Sequence, residues 1–455
     1  MTMFVTAARV RGPAPDDATW AAPRPPAALP RLRDAGFGAL VIIIYLVMTR
    51  IGGLDAAKIG FQAGPLPMFL TDIVLFTLLA NAFMTHSPGL IVWVSSGGQA
   101  DVPGRLIWVL FIVSGVYLAF AIPEWGIFAV RDFAIFSYAL LFVLSFIILD
   151  TPARARLVMR WFTYSGVLLA FLLSVDVLSG AKIFFDAHIR YVTQARIQVV
   201  AYGSGDVGGV ISFSMAALIG YVLLERERRM FHLVCLAICF LGLAIGQTRA
   251  AVFGIGCAIV YSMVGMTAVQ RMVLIALMTI TTILLAGIAI LMPDSSIANT
   301  TTQLVSAVQG GASFTKDDNF LFRFLRWDAV IQLWLDNPIL GVGFGQPLIP
   351  SWLIKSQEAG MFNAGLPHNT FLTVLARMGC LGFVLVIGPW VYAICKATVA
   401  AHRGAYRADA FAAGMALTTM LGYSNFVLFI ERPMHAAALW MVCAIACRLT
   451  QKQQS

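Results

Sequence analysis

From Gly36 onward the chain is a succession of apolar runs, interrupted once by a long polar stretch at 293–369. Runs such as Val41–Val47 are apolar on every face rather than on alternate residues. In hydrocarbon every backbone N–H and C=O must be paired within the protein, which leaves helices and closed barrels as spanning structures. Barrel strands alternate between lipid-facing and lumen-facing residues, so these unbroken runs predict helices. A helical span takes roughly 20 apolar residues. About twelve candidates meet that measure: 36–53, 66–84, 105–122, 133–149, 158–178, 206–224, 230–247, 250–267, 272–292, 370–395, 409–430 and 434–449. Only 12% of the 455 residues are charged, against about 25% in a soluble domain. The expected fold is an all-α polytopic membrane protein of about twelve transmembrane helices.

The residues 1–35 are rich in Ala, Pro and Arg, without a periodic apolar pattern or a signal-peptide core, and predict a disordered cytoplasmic tail. Nine spans then occupy 36–292, a large loop with an amphipathic helix 293–369, three more spans 370–449, and a short cytoplasmic tail 450–455. Lys and Arg set the orientation. With the N-terminus inside, the dense clusters Arg154–Arg160, Arg226–Arg229 and Lys396–Arg407 all fall inside, and the 293–369 loop faces out. The net charge of +9 is then a topology signal and gives no support to a nucleic-acid partner. The seven cysteines lie in or beside apolar runs, so no disulfide framework is expected in the outer loop.

The minority of basic residues outside is the more informative set, because topology does not ask for them. Arg131, Arg190, Arg196, Arg249 and Arg432 fall at outer helix ends or in short outer loops, and Arg323 and Arg326 in the long loop. Arginine keeps its charge and grips phosphate oxygens with a planar fork. Local acids offer a plainer explanation for some: Asp132 for Arg131, Glu431 for Arg432, Asp328 for Arg326. Phe320, Phe324, Trp327, Ile331 and Trp334 recur at helical spacing and predict an amphipathic helix lying at the membrane surface. Arg323 and Arg326 would project together from one flank of it, and Asn337-Pro338 would end it. The glycines at 341, 343 and 345 read as a flexible turn, without dinucleotide-fingerprint spacing. His368 stands where the chain re-enters the membrane, with Asn369 placed to cap the next helix. Asp317-Asp318 reads as a solvated turn rather than a metal site.

In order, Arg323-Phe-Leu-Arg326-Trp327-Asp-Ala329, Asn337-Pro338-Ile-Leu-Gly341-Val-Gly343-Phe-Gly345, Pro367-His368-Asn369-Thr370-Phe371-Leu372, Gly379 and Gly382 resemble the O-antigen ligase / polysaccharide polymerase superfamily. Gln247-Thr248-Arg249 is similar to that family's Ser/Thr-Arg element. Phe383 stands where the family's ligase pattern has Gly, Thr or Tyr. The resemblance implies a GT-C-like glycosyltransferase of the bacterial inner membrane, with both termini cytoplasmic and a periplasmic site. The implied donor is an undecaprenyl-diphosphate-linked glycan. The implied acceptor is a glycolipid for a ligase, or another lipid-linked repeat unit for a polymerase of O-antigen, capsule or exopolysaccharide. His368 then matches the catalytic histidine. Arg249 matches the Ser/Thr-Arg arginine, and Arg323 or Arg326 the arginine before the Trp. Arg190 and Arg196 fall in the loop that holds further essential arginines, and together these arginines would bind the diphosphate. No cofactor or metal is expected in this inverting scheme. A transporter or flippase for lipid-linked sugars is the competing reading; it calls for matching halves and midplane charges.

Overall fold

In a computed structural model, the described residues are 60–63, 66–69, 102–149, 151–179, 187–192, 197–202, 205–246, 249–265, 271–272, 318–354, 366–403, 406–427, 429–431 and 433–450. They form a helical body with two small antiparallel ladders. The helices are α1 (Val102–Trp125), α2 (Ile127–Ser137), α3 (Leu140–Ile148), α4 (Pro152–Ser179), α5 (Gly205–Leu224), α6 (Arg229–Gly246), α7 (Arg249–Gly265), α8 (Asp318–Asp336), α9 (Thr370–Arg403), α10 (Arg407–Tyr423) and α11 (Pro433–Leu449). The ladders pair β1 (Gly60–Ala63) with β2 (Leu66–Phe69), and β3 (Ala187–Val192) with β4 (Ile197–Tyr202). The expected spans 36–53 and 272–292 lie largely outside the described residues. The expected span at 66–84 begins, where described, as strand β2. Pro65 and Pro67 account for this, since proline removes backbone donors and pushes the residue before it out of the helical region.

Among the described residues, five helices are long and apolar enough to cross a membrane: Val102–Trp125, Ile127–Ile148, Pro152–Asp176, Val207–Leu224 and Thr370–His402. Shorter apolar helices cover Arg229–Ile245, Ala250–Met263 and His435–Leu449. The span expected at 409–430 stops at Tyr423. Ser424 and Asn425 end it, their side chains bonding the carbonyls of Met420, Leu421 and Gly422 in the last turn.

The centre of the bundle is α10, buried along nearly its whole length. Its alanines and glycines bring neighbouring backbones close. A Cβ at Gly220 of α5 would lie 3.0 Å from the Ala412 Cα, and one at Gly254 of α7 would lie 2.6 Å from the Thr419 carbonyl oxygen. Small residues at such crossings let helices gain packing contacts that apolar surface alone does not supply in lipid.

At the N-terminal end of α10 a buried ionic cluster joins four helices. Arg160 of α4 donates to Asp409 of α10 at 2.9 Å and to Glu225, just past α5, at 3.0 and 3.1 Å. Arg156 pairs with Asp409 at 3.3 Å, and the Tyr221 hydroxyl donates to it at 3.1 Å. His232 of α6 lies 3.1 Å from the Tyr164 hydroxyl. The basic clusters that the sequence places on one side, at the start of α4, the α5–α6 junction and the α9–α10 junction, thus meet at one end of the bundle.

The opposite end is built around a break in α9. Gly379 has φ 61° and ψ −161°, which interrupts the helix. A break in a membrane helix frees backbone groups that need new partners, and the 338–343 loop supplies them. Val342 and Gly343 N–H donate to the Ala376 and Arg377 carbonyls at 2.8 and 2.9 Å, while Cys380 and Leu381 N–H donate to the Pro338 and Ile339 carbonyls at 2.8 and 3.2 Å. The glycine run is therefore a fitted plug, not the flexible turn expected from composition. A Cβ at Gly379 would sit 2.2 Å from the Ile339 carbonyl oxygen. Gly379→Ala is expected to unseat the loop and lower thermal stability by several kcal/mol, since a positive φ and a backbone clash coincide. An unchanged melting midpoint of the purified protein would show that the loop does not depend on the break.

Candidate active site

Helix α8 forms as its periodicity predicts and stops at Asp336, before Asn337-Pro338. Asp318 is its first residue rather than part of a turn. Its inner face, carrying Val330, Ala329 and Leu333, packs on Leu348, Ile349, Leu353, Leu366 and Ala376. The stripe seen in the sequence is a second face and stays partly open, with Phe324 47% exposed. The two arginines of α8 do not project together. Arg323 reaches the Phe426 carbonyl at 3.4 Å. Arg326 is fully enclosed and donates from Nε and Nη2 to the Leu353 carbonyl at 3.4 and 3.2 Å, rather than pairing with Asp328.

His368 is half-buried, and its φ of 54° is the only positive value at a non-glycine among the described residues. Such a backbone persists only where its surroundings hold it. The Trp327 indole of α8 donates to the Pro367 carbonyl at 2.8 Å. Asn369 caps α9, its Oδ1 accepting from the Leu372 N–H at 3.1 Å, as the sequence leads one to expect. The next residue, Thr370, is stitched to the α10–α11 connector. Its N–H donates to the Ser424 carbonyl at 3.0 Å, its hydroxyl donates to the Val427 carbonyl at 3.1 Å, and it accepts from the Phe429 N–H at 2.8 Å.

The connector gathers the other candidates. Phe426, whose carbonyl holds Arg323, has Trp327 at 6.2 Å and meets the ring of Phe253 edge-on at 5.1 Å. Phe253 lies one helical turn beyond Arg249, the first residue of α7. His368, Arg323 and the start of α7 are thus assembled around 424–429. Arg190 lies in β3, its backbone opposite Val199. Arg196 and Thr248 lie outside the described residues.

Two turns into α9 is a charged centre that the sequence reading missed. Asp132 of α2 and Arg377 of α9 are 0% and 1% exposed. They pair at 2.8 Å through Asp132 Oδ2, which also accepts from the Gly345 N–H at 2.7 Å. Asp132 Oδ1 accepts from Arg131 Nε and Nη2 at 3.1 and 2.8 Å, bearing out the Arg131–Asp132 pairing. Arg377 Nη1 donates to the Gly343 carbonyl at 3.3 Å and to the Gln346 carbonyl. Phe344, between them in sequence, is buried against Tyr117 of α1 and Phe136 of α2. Glu431, on the connector, completes the set: neither carboxylate oxygen has a full hydrogen bond, and the Thr373 hydroxyl lies beside it. Burial, then the Asp132 charge, push its carboxyl up to about 7, against the Thr373 hydroxyl, which favours the carboxylate, and the pull of Arg131 and Arg377. The signal for this centre was Arg377 itself, an arginine inside an apolar run, which requires a buried partner.

The family comparison supports a ligase- or polymerase-like membrane enzyme. Residues 234–387 match the family described as O-antigen ligase (Wzy_C), so that segment carries an O-antigen ligase domain. That segment runs from α6 to the middle of α9 and contains Arg249, α8, the 338–345 plug and His368. Comparison with curated proteins gives no match.

Proposed function

We propose that the protein moves a glycan from undecaprenyl diphosphate to a sugar hydroxyl of an acceptor on the periplasmic face of the bacterial inner membrane, as an O-antigen ligase-like enzyme of surface polysaccharide assembly. The observation that carries this reading is the left-handed backbone of His368, held by the bonds of Trp327, Asn369 and Thr370 around it, with Arg323 bonded to the same α10–α11 connector as Thr370. His368 takes the proton of the attacking hydroxyl. A base so placed contributes typically 10²–10⁴-fold. Attack opposite the leaving group inverts the anomeric centre. Charge develops on the departing diphosphate, and arginine side chains are proposed to stabilise it. Arg323 and Arg249 are assigned that role, with Arg190 or Arg196 from the β3–β4 segment. Arg326 serves from beneath by holding the Leu353 turn under α8. The scheme draws its positive charge from arginine and calls for no metal.

Repeat-unit polymerisation uses the same donor and chemistry with a lipid-linked acceptor, and Phe383 in place of the ligase pattern's Gly, Thr or Tyr favours keeping it as the second reading. A transporter of lipid-linked sugars would use a broken helix as an open binding site. In α9 the freed groups at 376, 377, 380 and 381 are already bonded to the plug, which argues for a packed joint. The test is transfer by purified protein in lipid nanodiscs, with lipid-linked glycan, alternative acceptors and EDTA. New glycosidic bonds at an undiminished rate are expected. Dependence on added metal would overturn the arginine scheme, and lipid movement without bond formation would overturn the transferase.

A further inference from the structure

The N–H groups in the first turn of a helix have no partner within it. Thr370, the first residue of α9 and fully enclosed, finds its partners on the α10–α11 connector. Its N–H donates to the Ser424 carbonyl at 3.0 Å. Its hydroxyl works in both directions, donating to the Val427 carbonyl at 3.1 Å and accepting from the Phe429 N–H at 2.8 Å. A hydroxyl can do both; a methyl group in its place can do neither. The connector is stiff where it is tied. The N–H groups of Ser424, Asn425 and Phe426 return to the Met420, Gly422 and Tyr423 carbonyls at 3.0, 3.3 and 3.1 Å, so the chain leaves α10 in tight turns.

The same connector holds the arginine assigned to the diphosphate. Arg323 Nη1 donates to the Phe426 carbonyl at 3.4 Å, one residue before Val427. Four residues along α8, on the same helical face, Trp327 donates to the Pro367 carbonyl at 2.8 Å and has the Phe426 ring at 6.2 Å. These contacts close a ring. From Thr370 they run to Val427 and Phe426, across to Arg323, along α8 to Trp327, and back through Pro367 to His368. A strained backbone persists only where its surroundings hold it. The His368 turn, at φ 54°, is gripped on one side at Pro367 and on the other at Thr370.

We infer that Thr370 is a positioning residue for the proposed transfer: through the connector they share, its hydroxyl sets where the His368 turn stands relative to Arg323. The inference rests on His368 being the base and Arg323 engaging the diphosphate. The base has to reach the attacking hydroxyl while the arginine holds the leaving group, so their spacing governs the chemical step rather than donor affinity. Misplacement by about 1 Å can cost on the order of 10²-fold.

The experiment is a double-variant cycle on the full chain in nanodiscs, read as kcat and donor KM. Thr370→Val keeps the shape and removes both hydroxyl bonds. Its kcat should fall about 10–10²-fold, with donor KM little changed. Thr370→Ser keeps the hydroxyl and should recover most of the rate. The discriminating arm is the His368→Ala background. With the base gone its placement no longer matters, so adding Thr370→Val should leave the residual kcat nearly unchanged. If valine brings the melting midpoint below the assay temperature, Thr370→Cys replaces it; its thiol is only a weak donor and acceptor, and a smaller fall in kcat is expected. Wild-type kcat in Thr370→Val, or in Thr370→Cys where that is used, would overturn the inference. So would an equal loss in both backgrounds, which is what a merely structural threonine would produce. Full activity in His368→Ala is a different failure: it removes the base, and with it the reading on which Thr370 depends.

Discussion

Asp132→Ala is expected to destabilise the protein by about 3–5 kcal/mol, the usual cost of removing one partner of a buried ion pair. Three elements converge on this carboxylate: Arg131 from its own helix, Arg377 from α9, and the Gly345 N–H from the plug. Alanine leaves the Arg377 guanidinium, 1% exposed, without its counter-charge. Its Nη1 bonds to the Gly343 and Gln346 carbonyls would remain, so the arginine cannot simply swing out to water. The plug in turn fills the break in α9, so the damage should travel to the His368 turn and lower transfer as well. Asp132→Asn keeps acceptor oxygen while removing charge and should be intermediate. The double variant Asp132→Ala/Arg377→Met should recover much of the loss, because removing both charges avoids leaving one buried alone. Thermal unfolding of the purified variants in nanodiscs measures this; an Asp132→Ala midpoint equal to wild type would contradict the pairing as the joint between α2, α9 and the plug.

Particular residues show what the sequence could and could not disclose. The apolar runs were legible because spanning hydrocarbon restricts composition over a whole segment, and α8 was legible because its aromatics recur at helical period. The histidine and its cap were legible from Asn369, a residue whose side chain suits a helix start. What escaped were contacts between distant segments. Gly341, Gly343 and Gly345 look like a loose turn in isolation; only the break at Gly379, more than thirty residues on, gives them a surface to fit. Arg326 looks like a partner of Arg323, three residues away on one helix, yet the Leu353 carbonyl claims it. Asp132, Arg377 and Glu431 sit on three separated elements, and their meeting is a fact of packing. The prolines at 65 and 67 were a local warning that a helix should not begin there, outweighed in the reading by the apolar run that follows.

His368→Ala carries the second large expected effect. It removes the proposed base but leaves the turn's other fastenings, since Trp327 bonds the Pro367 carbonyl and Asn369 caps the helix through its own side chain. Alanine at φ 54° retains some backbone strain, so His368→Gln and His368→Asn, polar and without a base near neutral pH, serve as companions. Folding should be close to wild type in all three, and the expected loss is in kcat rather than in donor binding, which the proposal assigns to the arginines. The decisive measurement is the rate of glycosidic bond formation from lipid-linked donor by purified wild type and His368→Ala, both confirmed folded. A fall of about 10²–10⁴-fold in kcat, with donor affinity kept, is predicted; turnover at the wild-type rate would contradict His368 as the base and with it the account of this site.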